Sequence, residues 1–174
     1  MMSAMGTTTA IPVEEYLRTD YDDGDREYVD GEVVERNVGE RSHAWIQGLI
    51  HNYLRQQYKK YWSAPEARVR LGARLYRVPD VCLLIGTWPV LSETGPITQI
   101  PFLVVEILSP EDRAGMVQEK IDDYLNAGVK YVWVVNPYTK RGYIYTADGS
   151  HEAKDGVLRT ENPAIKVPLK KIFE

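Results

Sequence analysis

The chain has 174 residues, of which 44% are apolar and 26% charged, with 21 Lys and Arg against 25 Asp and Glu for a formal net charge of −4. That length suits one ordinary domain, and the balance is globular rather than disordered. One cysteine excludes an internal disulfide framework and a Cys-based zinc cluster. Apolar runs such as 81–85 and 101–105 are far shorter than the roughly 20 residues that span a bilayer.

Residues 1–10 carry no Lys or Arg and no long apolar stretch, so they read as a frayed tail rather than a signal peptide, ahead of a single domain over 11–174. A soluble, cytoplasmic protein is expected. Residues 11–19 predict a short helix with Pro12 in its first turn. The acidic stretch 20–25 lacks the glycine spacing of a calcium loop. Asp30-Gly31 between the short runs 26–29 and 32–35 predicts a hairpin.

Beyond Ser42, Trp45, Ile46, Leu49, Ile50, Tyr53, Leu54 and Tyr58 recur every three or four residues, the pattern of an amphipathic helix. His43, Gln47 and His51 fall on one stripe of it. Residues 67–71 and 73–78 alternate as strands, 81–85 and 102–108 are buried strands, and 86–100 is a loop. Ser109-Pro110-Glu111-Asp112 carries a capping signature for a helix running to Asn126, with Gly128 as its stop. Residues 131–135 form a strand, and Asp148-Gly149 marks a second hairpin. The order implies a mixed α/β (α+β) sheet with an internal βαβ crossover.

Charge is unevenly spread. Residues 1–40 hold 11 acids against 3 bases, whereas residues 41–78 hold 8 bases against Glu66 alone, interleaved with aromatic residues. Such a segment permits nucleic-acid contact through Arg41, His43, Arg74 and Arg77, or is a solvated face.

Two acids sit where ionised groups are costly. Asp80 directly precedes the run 81–85, and Glu106 lies inside the run 102–108. Each must be paired, protonated or bound to a cation. If the two strands are neighbours, both carboxylates meet at one end of the sheet, where Mg²⁺ (or Mn²⁺) suits one or two carboxylates plus water and phosphate. Lys120, with Tyr124 one turn on, can aim at the same point; its alternative is a surface pair with Glu119 or Asp123. Ser109 lacks a histidine partner, and no glycine-rich phosphate loop is present.

Taken together, 26–32 (Arg-Glu-Tyr-Val-Asp-Gly-Glu), Ser42-His43, Pro79-Asp80, 105–110 (Val-Glu-Ile-Leu-Ser-Pro), Lys120 with Tyr124, Ala127-Gly128-Val129 and Tyr131-Val132-Trp133 resemble the Uma-type restriction-endonuclease family. That family is a bacterial branch of the PD-(D/E)XK nucleases. The resemblance covers about residues 12–145. It implies a restriction-endonuclease-like core, a mixed sheet with helices on both sides. It also implies that Asp80 and Glu106 are the motif acids and that Glu27 adds a further acid. The motif lysine falls at position 108, which is Leu, and the resemblance maps that role to Lys120.

The expected function is Mg²⁺-dependent hydrolysis of DNA phosphodiester bonds. Asp80, Glu106 and the Ile107 carbonyl would hold the metal, with Lys120 neutralising charge as water attacks phosphorus. The expected partners are DNA and a second copy of the chain, with no membrane. The alternative is a catalytically inactive nucleic-acid-binding or protein-interaction module on the same fold.

Overall fold

The computed structural model describes residues 10–22, 24–36, 40–86 and 94–174. The expected tail thus lies outside the described residues apart from Ala10, as does the middle of the 86–100 loop.

The chain opens with helix α1 (Val13–Arg18) and the hairpin β1 (Glu27–Val29) and β2 (Glu32–Val34). Asp30 and Gly31 both adopt positive φ, 50° and 102°, which is what a two-residue hairpin turn of the favoured hand requires. Helix α2 (Arg41–Gln57) follows, then β3 (Trp62–Pro65), β4 (Val69–Gly72), β5 (Leu75–Arg77), β6 (Val81–Leu84) and β7 (Leu103–Ile107). Helix α3 (Ala114–Asn126) leads to β8 (Tyr131–Asn136), β9 (Arg141–Thr146), β10 (Gly149–Glu152), β11 (Val157–Thr160), β12 (Ile165–Pro168) and α4 (Lys170–Phe173).

The main sheet has the order β10-β9-β8-β7-β6-β3. Its one parallel pair is β7 with β8, joined by α3 in the expected crossover. A second sheet, β2-β1-β5-β4, takes the first hairpin and the arginine-bearing strands. There α1 packs Tyr16 onto Tyr28, with ring centroids 5.0 Å apart, and Tyr28 sends its hydroxyl to the Ile11 carbonyl at 2.8 Å. These contacts fix β1, and with it Glu27.

Side-chain alternation gives the main sheet two different faces. On one, Ile46, Ile50 and Leu54 of α2 meet Val81, Leu83, Val105, Ile107 and Trp133, and the core extends into β11, β12 and α4. On the other, Ile121 and Tyr124 of α3 meet Cys82, Leu84, Val104, Val132 and Val134.

Three expectations need correction. Strands β3, β11 and β12 and helix α4 have no counterpart in the sequence reading. The 109–112 segment does not begin a helix. Its Asp112 carboxylate accepts the Ser109 N–H at 2.7 Å and the Asp112 N–H returns to the Ser109 carbonyl at 3.1 Å, which closes a turn one step before α3. The second hairpin turns on Ala147 and Asp148, with Gly149 already paired to Thr146. The end of α3 is as expected. Gly128, at φ 104°, donates to the Leu125 carbonyl, and Val129 donates to that of Tyr124, a Schellman closure.

Candidate active site

Strands β6 and β7 are antiparallel neighbours with Val81 opposite Val105 and Cys82 opposite Val104. Continued one step, that register brings Asp80, which directly precedes β6, level with Glu106, while the Asp80 side chain turns to His43 of α2 and to the Ile107 N–H. Directly opposed residues have Cβ atoms about 4.5–5.5 Å apart. Two costly acids therefore sit side by side at one strand end.

Their surroundings differ. Asp80 is densely engaged. Its Oδ2 accepts the Ile107 N–H at 2.6 Å and lies 3.1 Å from His43 Nε2. Its Oδ1 lies 3.3 Å from the Arg36 guanidinium. Its carbonyl accepts from the Gln47 amide at 3.1 Å. Glu106 accepts one hydrogen bond, from the Tyr124 hydroxyl at 2.6 Å, and lies 3.6 Å from Lys120 Nζ. Burial pushes the Glu106 carboxyl up to about 7; Lys120 opposes that, whereas Asp80 and Glu27 reinforce it.

Glu27 comes in from β1 on the second sheet, buried to 1% exposure. Its Oε2 lies 2.8 Å from Arg77 Nη1, and its Oε1 accepts the Val78 N–H at 3.1 Å and lies 3.0 Å from Lys120 Nζ. Burial works against its charge, but Lys120, Arg77 and the Val78 N–H together hold it below the usual carboxylate range. Lys120 thus spans Glu27 and Glu106. Burial would weaken its ammonium, and the two carboxylates outweigh burial, so it stays protonated.

A pocket of about 300 Å³ opens over Glu27, Glu106 and Lys120, with Arg36 and Ile107 but not Asp80 among its walls. Its walls carry Glu27, Glu32, Glu35, Glu106, Asp112 and Glu119 against only Arg36, Arg77 and Lys120. A phosphodiester entering it meets an excess of negative charge, and a divalent cation would reverse that sign.

The donor set fits a hard cation. It offers oxygen atoms from the Asp80 and Glu106 carboxylates, the second pushed up by burial despite Lys120. Among the described residues, no three His, Cys, Asp or Glu side chains gather into a complete ligand set.

Two sequence assignments are corrected. Arg77 is not on a solvated basic face. It is 4% exposed, and its guanidinium binds Glu27 together with Asp123 at 2.6 and 2.9 Å and Glu119 at 3.4 Å. Glu119 and Asp123, the alternative partners for Lys120, serve Arg77 instead. His43 is likewise buried against Asp80, which, through its hydrogen bond and its charge, outweighs desolvation and raises the imidazole pKa. Both side chains face inward because unpaired buried carboxylates demand them, so neither is free for phosphate.

Arg41 is exposed at the first turn of α2, two residues from His43. Arg74 lies at the far end of the second sheet, with its guanidinium on the Asp30 carbonyl at 2.6 Å. The stripe on α2 divides, because His43 and Gln47 hold Asp80 while His51 Nδ1 lies 2.8 Å from Ser63 Oγ. Arg36 and the Tyr124–Glu106 bond escaped the sequence reading. Arg36 follows a hairpin with no local pattern; Tyr124 was visible only as sharing a face with Lys120.

No described helix is long and apolar enough to cross a membrane. No curated protein matches the chain. The chain is similar to the crystal structure of "a putative nuclease belonging to DUF820" from Anabaena variabilis ATCC 29413. The two are 20% identical with a TM-score of 0.75, over 94% of this chain and 97% of that one, a likeness that establishes a shared fold. The fold shared with it is a mixed sheet flanked by helices, as expected. Residues 13–169 match the Uma2 family, described as "Putative restriction endonuclease", and the chain belongs to that family.

Proposed function

We propose that the protein is a Mg²⁺-dependent nuclease that hydrolyses DNA phosphodiester bonds. The observation that carries this reading is Lys120, an ammonium 3.0 Å from Glu27 and 3.6 Å from Glu106, beside the opposed Asp80–Glu106 pair.

Asp80, Glu106 and the Ile107 carbonyl would supply oxygen ligands, with Mn²⁺ an acceptable substitute for Mg²⁺. The cation, when bound, supplies Lewis acidity toward a phosphoryl oxygen and toward water. Tyr124 holds Glu106 in place by its hydroxyl. Lys120 keeps its proton and offers positive charge to the phosphate oxygens as charge accumulates there. Glu27 positions the Lys120 ammonium and is itself locked by Arg77 and the Val78 N–H. Glu27 would also orient water or hold a second cation.

The test is cleavage of plasmid, linear and single-stranded DNA with Mg²⁺ or Mn²⁺, together with calorimetric Mn²⁺ binding. Wild type should cut and Glu106→Gln should not. Light scattering on the same sample reads whether the protein works as a homodimer.

A second reading is favoured by Arg36, whose guanidinium already neutralises Asp80. On that reading the protein is an inactive nucleic-acid-binding or interaction module. Absence of both cleavage and Mn²⁺ binding would select it.

A further inference from the structure

Beside the acidic pocket lies a second one of about 410 Å³, a size typical of small-molecule sites. The two share the walls Leu108, Asp112 and Val117, so they adjoin. The sheet register fixes their spacing. Glu106 is opposite Val134 on β8, and Val134 is opposite Tyr143 on β9. Adjacent strands are about 4.8 Å apart, so Tyr143 stands roughly 10 Å from Glu106 on the same face. Tyr145 lies two residues along, and Tyr138, 52% exposed, stands at the edge.

The chemistry of the lining is specific. Among the described residues, the hydroxyls of Tyr143 and Tyr145 have no hydrogen-bond partner. Asn136 uses its Oδ1 to accept the Tyr138 and Thr139 N–H groups, which leaves its amide as a donor. Gln118 spends its amide on Asp122, which leaves its carbonyl as an acceptor. Half-buried aromatic rings with a spare donor and acceptor nearby match a flat heterocycle with polar edges.

We infer that this second pocket receives one unstacked nucleobase next to the scissile phosphate. This rests on the nuclease reading and adds a substrate class to it, because a base can enter only where it is unpaired or flipped out of its stack. The preferred substrate is then single-stranded DNA, or a duplex bearing a bulge or a mismatch.

The experiment is binding of a fluorescein-labelled single-stranded oligonucleotide in Ca²⁺, read by anisotropy, so that cleavage is not required. Oligonucleotides with one abasic site at successive positions are run in parallel. The paired substitution Tyr143→Ala with Tyr145→Ala should weaken binding of the intact strand about tenfold or more, in line with the loss of aromatic stacking. The pair Tyr143→Phe with Tyr145→Phe should bind nearly as wild type. At one position, the abasic strand should bind wild type as weakly as the intact strand binds the alanine pair, and the alanine pair should weaken it no further. Circular dichroism checks folding; if the alanine pair does not fold, leucine at both positions keeps apolar bulk without a planar face and replaces it.

Unchanged affinity, equal losses on intact and abasic strands at every position, or no binding at any salt would overturn the inference. So would a change in oligomeric state with affinity intact, which would assign the pocket to a second copy. If the coupling holds but nothing is cut with Mg²⁺ or Mn²⁺, the nuclease reading falls and the base pocket stands. If DNA is cut and the coupling is missing, the reverse applies.

Discussion

The two faces of the main sheet answer different physical demands. The α2 face packs Ile46, Ile50 and Leu54 on the sheet and is sealed further by β11, β12 and α4, turning polar where His43 and Gln47 reach Asp80. The α3 face is apolar only in its middle; at the strand ends it carries Glu106 beneath Tyr124 and Lys120. One face derives stability from removing area from water. The other holds charge that water would otherwise solvate, and must compensate it group by group. The candidate site lies at the end of the second, where burial raises the Glu106 carboxyl even with the Lys120 ammonium 3.6 Å away.

Arg77 should give the largest effect. It ties Glu27 of the second sheet to Asp123 of α3. Arg77→Ala leaves the buried Glu27 and the half-buried Asp123 with fewer partners, and breaking a buried pair costs about 3–5 kcal/mol. Urea unfolding measures this. A loss below about 1 kcal/mol would mean that the polar face is more solvated than its 4% exposure implies.

The next expectation is a crossing. Ile50→Ala, on the apolar face, should cost about 2–5 kcal/mol of stability. Its cleavage rate under native conditions should be unchanged. Lys120→Met should do the opposite. Losing one transition-state charge contact lowers the rate roughly a hundred- to a thousandfold. Stability near about pH 6 should largely survive, since Glu27 keeps Arg77 and Glu106 can take up a proton. Rates and unfolding curves on both variants decide it; equal rates for Lys120→Met and wild type would remove the lysine from the mechanism.

The apolar runs made this division partly legible. Asp80 and Glu106 are conspicuous in sequence because one borders and the other interrupts a stretch that otherwise reads as core, and the β6–β7 pairing expected if those runs are neighbours is present. Asp30-Gly31 and Gly128 are legible because a positive φ leaves few alternatives. Arg77 was not. A charge count over 41–78 averages residues that a strand sends to opposite sides, and the partner carboxylates come from β1 and from α3, 46 residues on. Strand β3 was hidden by its brevity and by Ser63 and Pro65. Strands β11 and β12 alternate over only four residues each, with Arg159 and Lys166 on their outer sides.

Titration separates the faces more gently. Glu106 has its folded pKa raised from 4.5 to about 7, so the protein without metal loses stability as pH rises between those values. His43, raised from 6.5, extends that loss upward as pH passes through its folded value. Glu27, lowered, acts in reverse: its contribution is present above 4.5 and is lost as pH falls through its folded value. Melting temperature in EDTA should therefore fall by a few degrees from about pH 5 to about pH 8. Glu106→Gln should flatten the stretch below about 7. Added Mn²⁺ should stabilise little near about pH 5.5 and increasingly through neutrality, because the ligand must be ionised. A Mn²⁺ effect independent of pH would take Glu106 out of the ligand set.

The smallest effect concerns where a nucleic-acid backbone lies relative to the open end of the α3 face. Arg41 and Arg74 are both exposed and both lie in the basic segment, so sequence treats them alike. The fold separates them. Arg41 begins the helix that delivers His43 to Asp80, and Trp45, 69% exposed, stands one turn further on. Arg74 sits beyond the opposite end of β5, engaged with Asp30. If the phosphates follow the cleft, Arg41→Ala removes one of their contacts and Arg74→Ala removes none. Each lost contact lowers the slope of log affinity against log salt by about 0.7 to 0.9. Anisotropy titrations in Ca²⁺ over a range of salt should thus show a shallower slope for Arg41→Ala and a wild-type slope for Arg74→Ala. Equal changes in the two would mean that DNA lies along the second sheet as well, and the functional surface would then extend well beyond the end of β7.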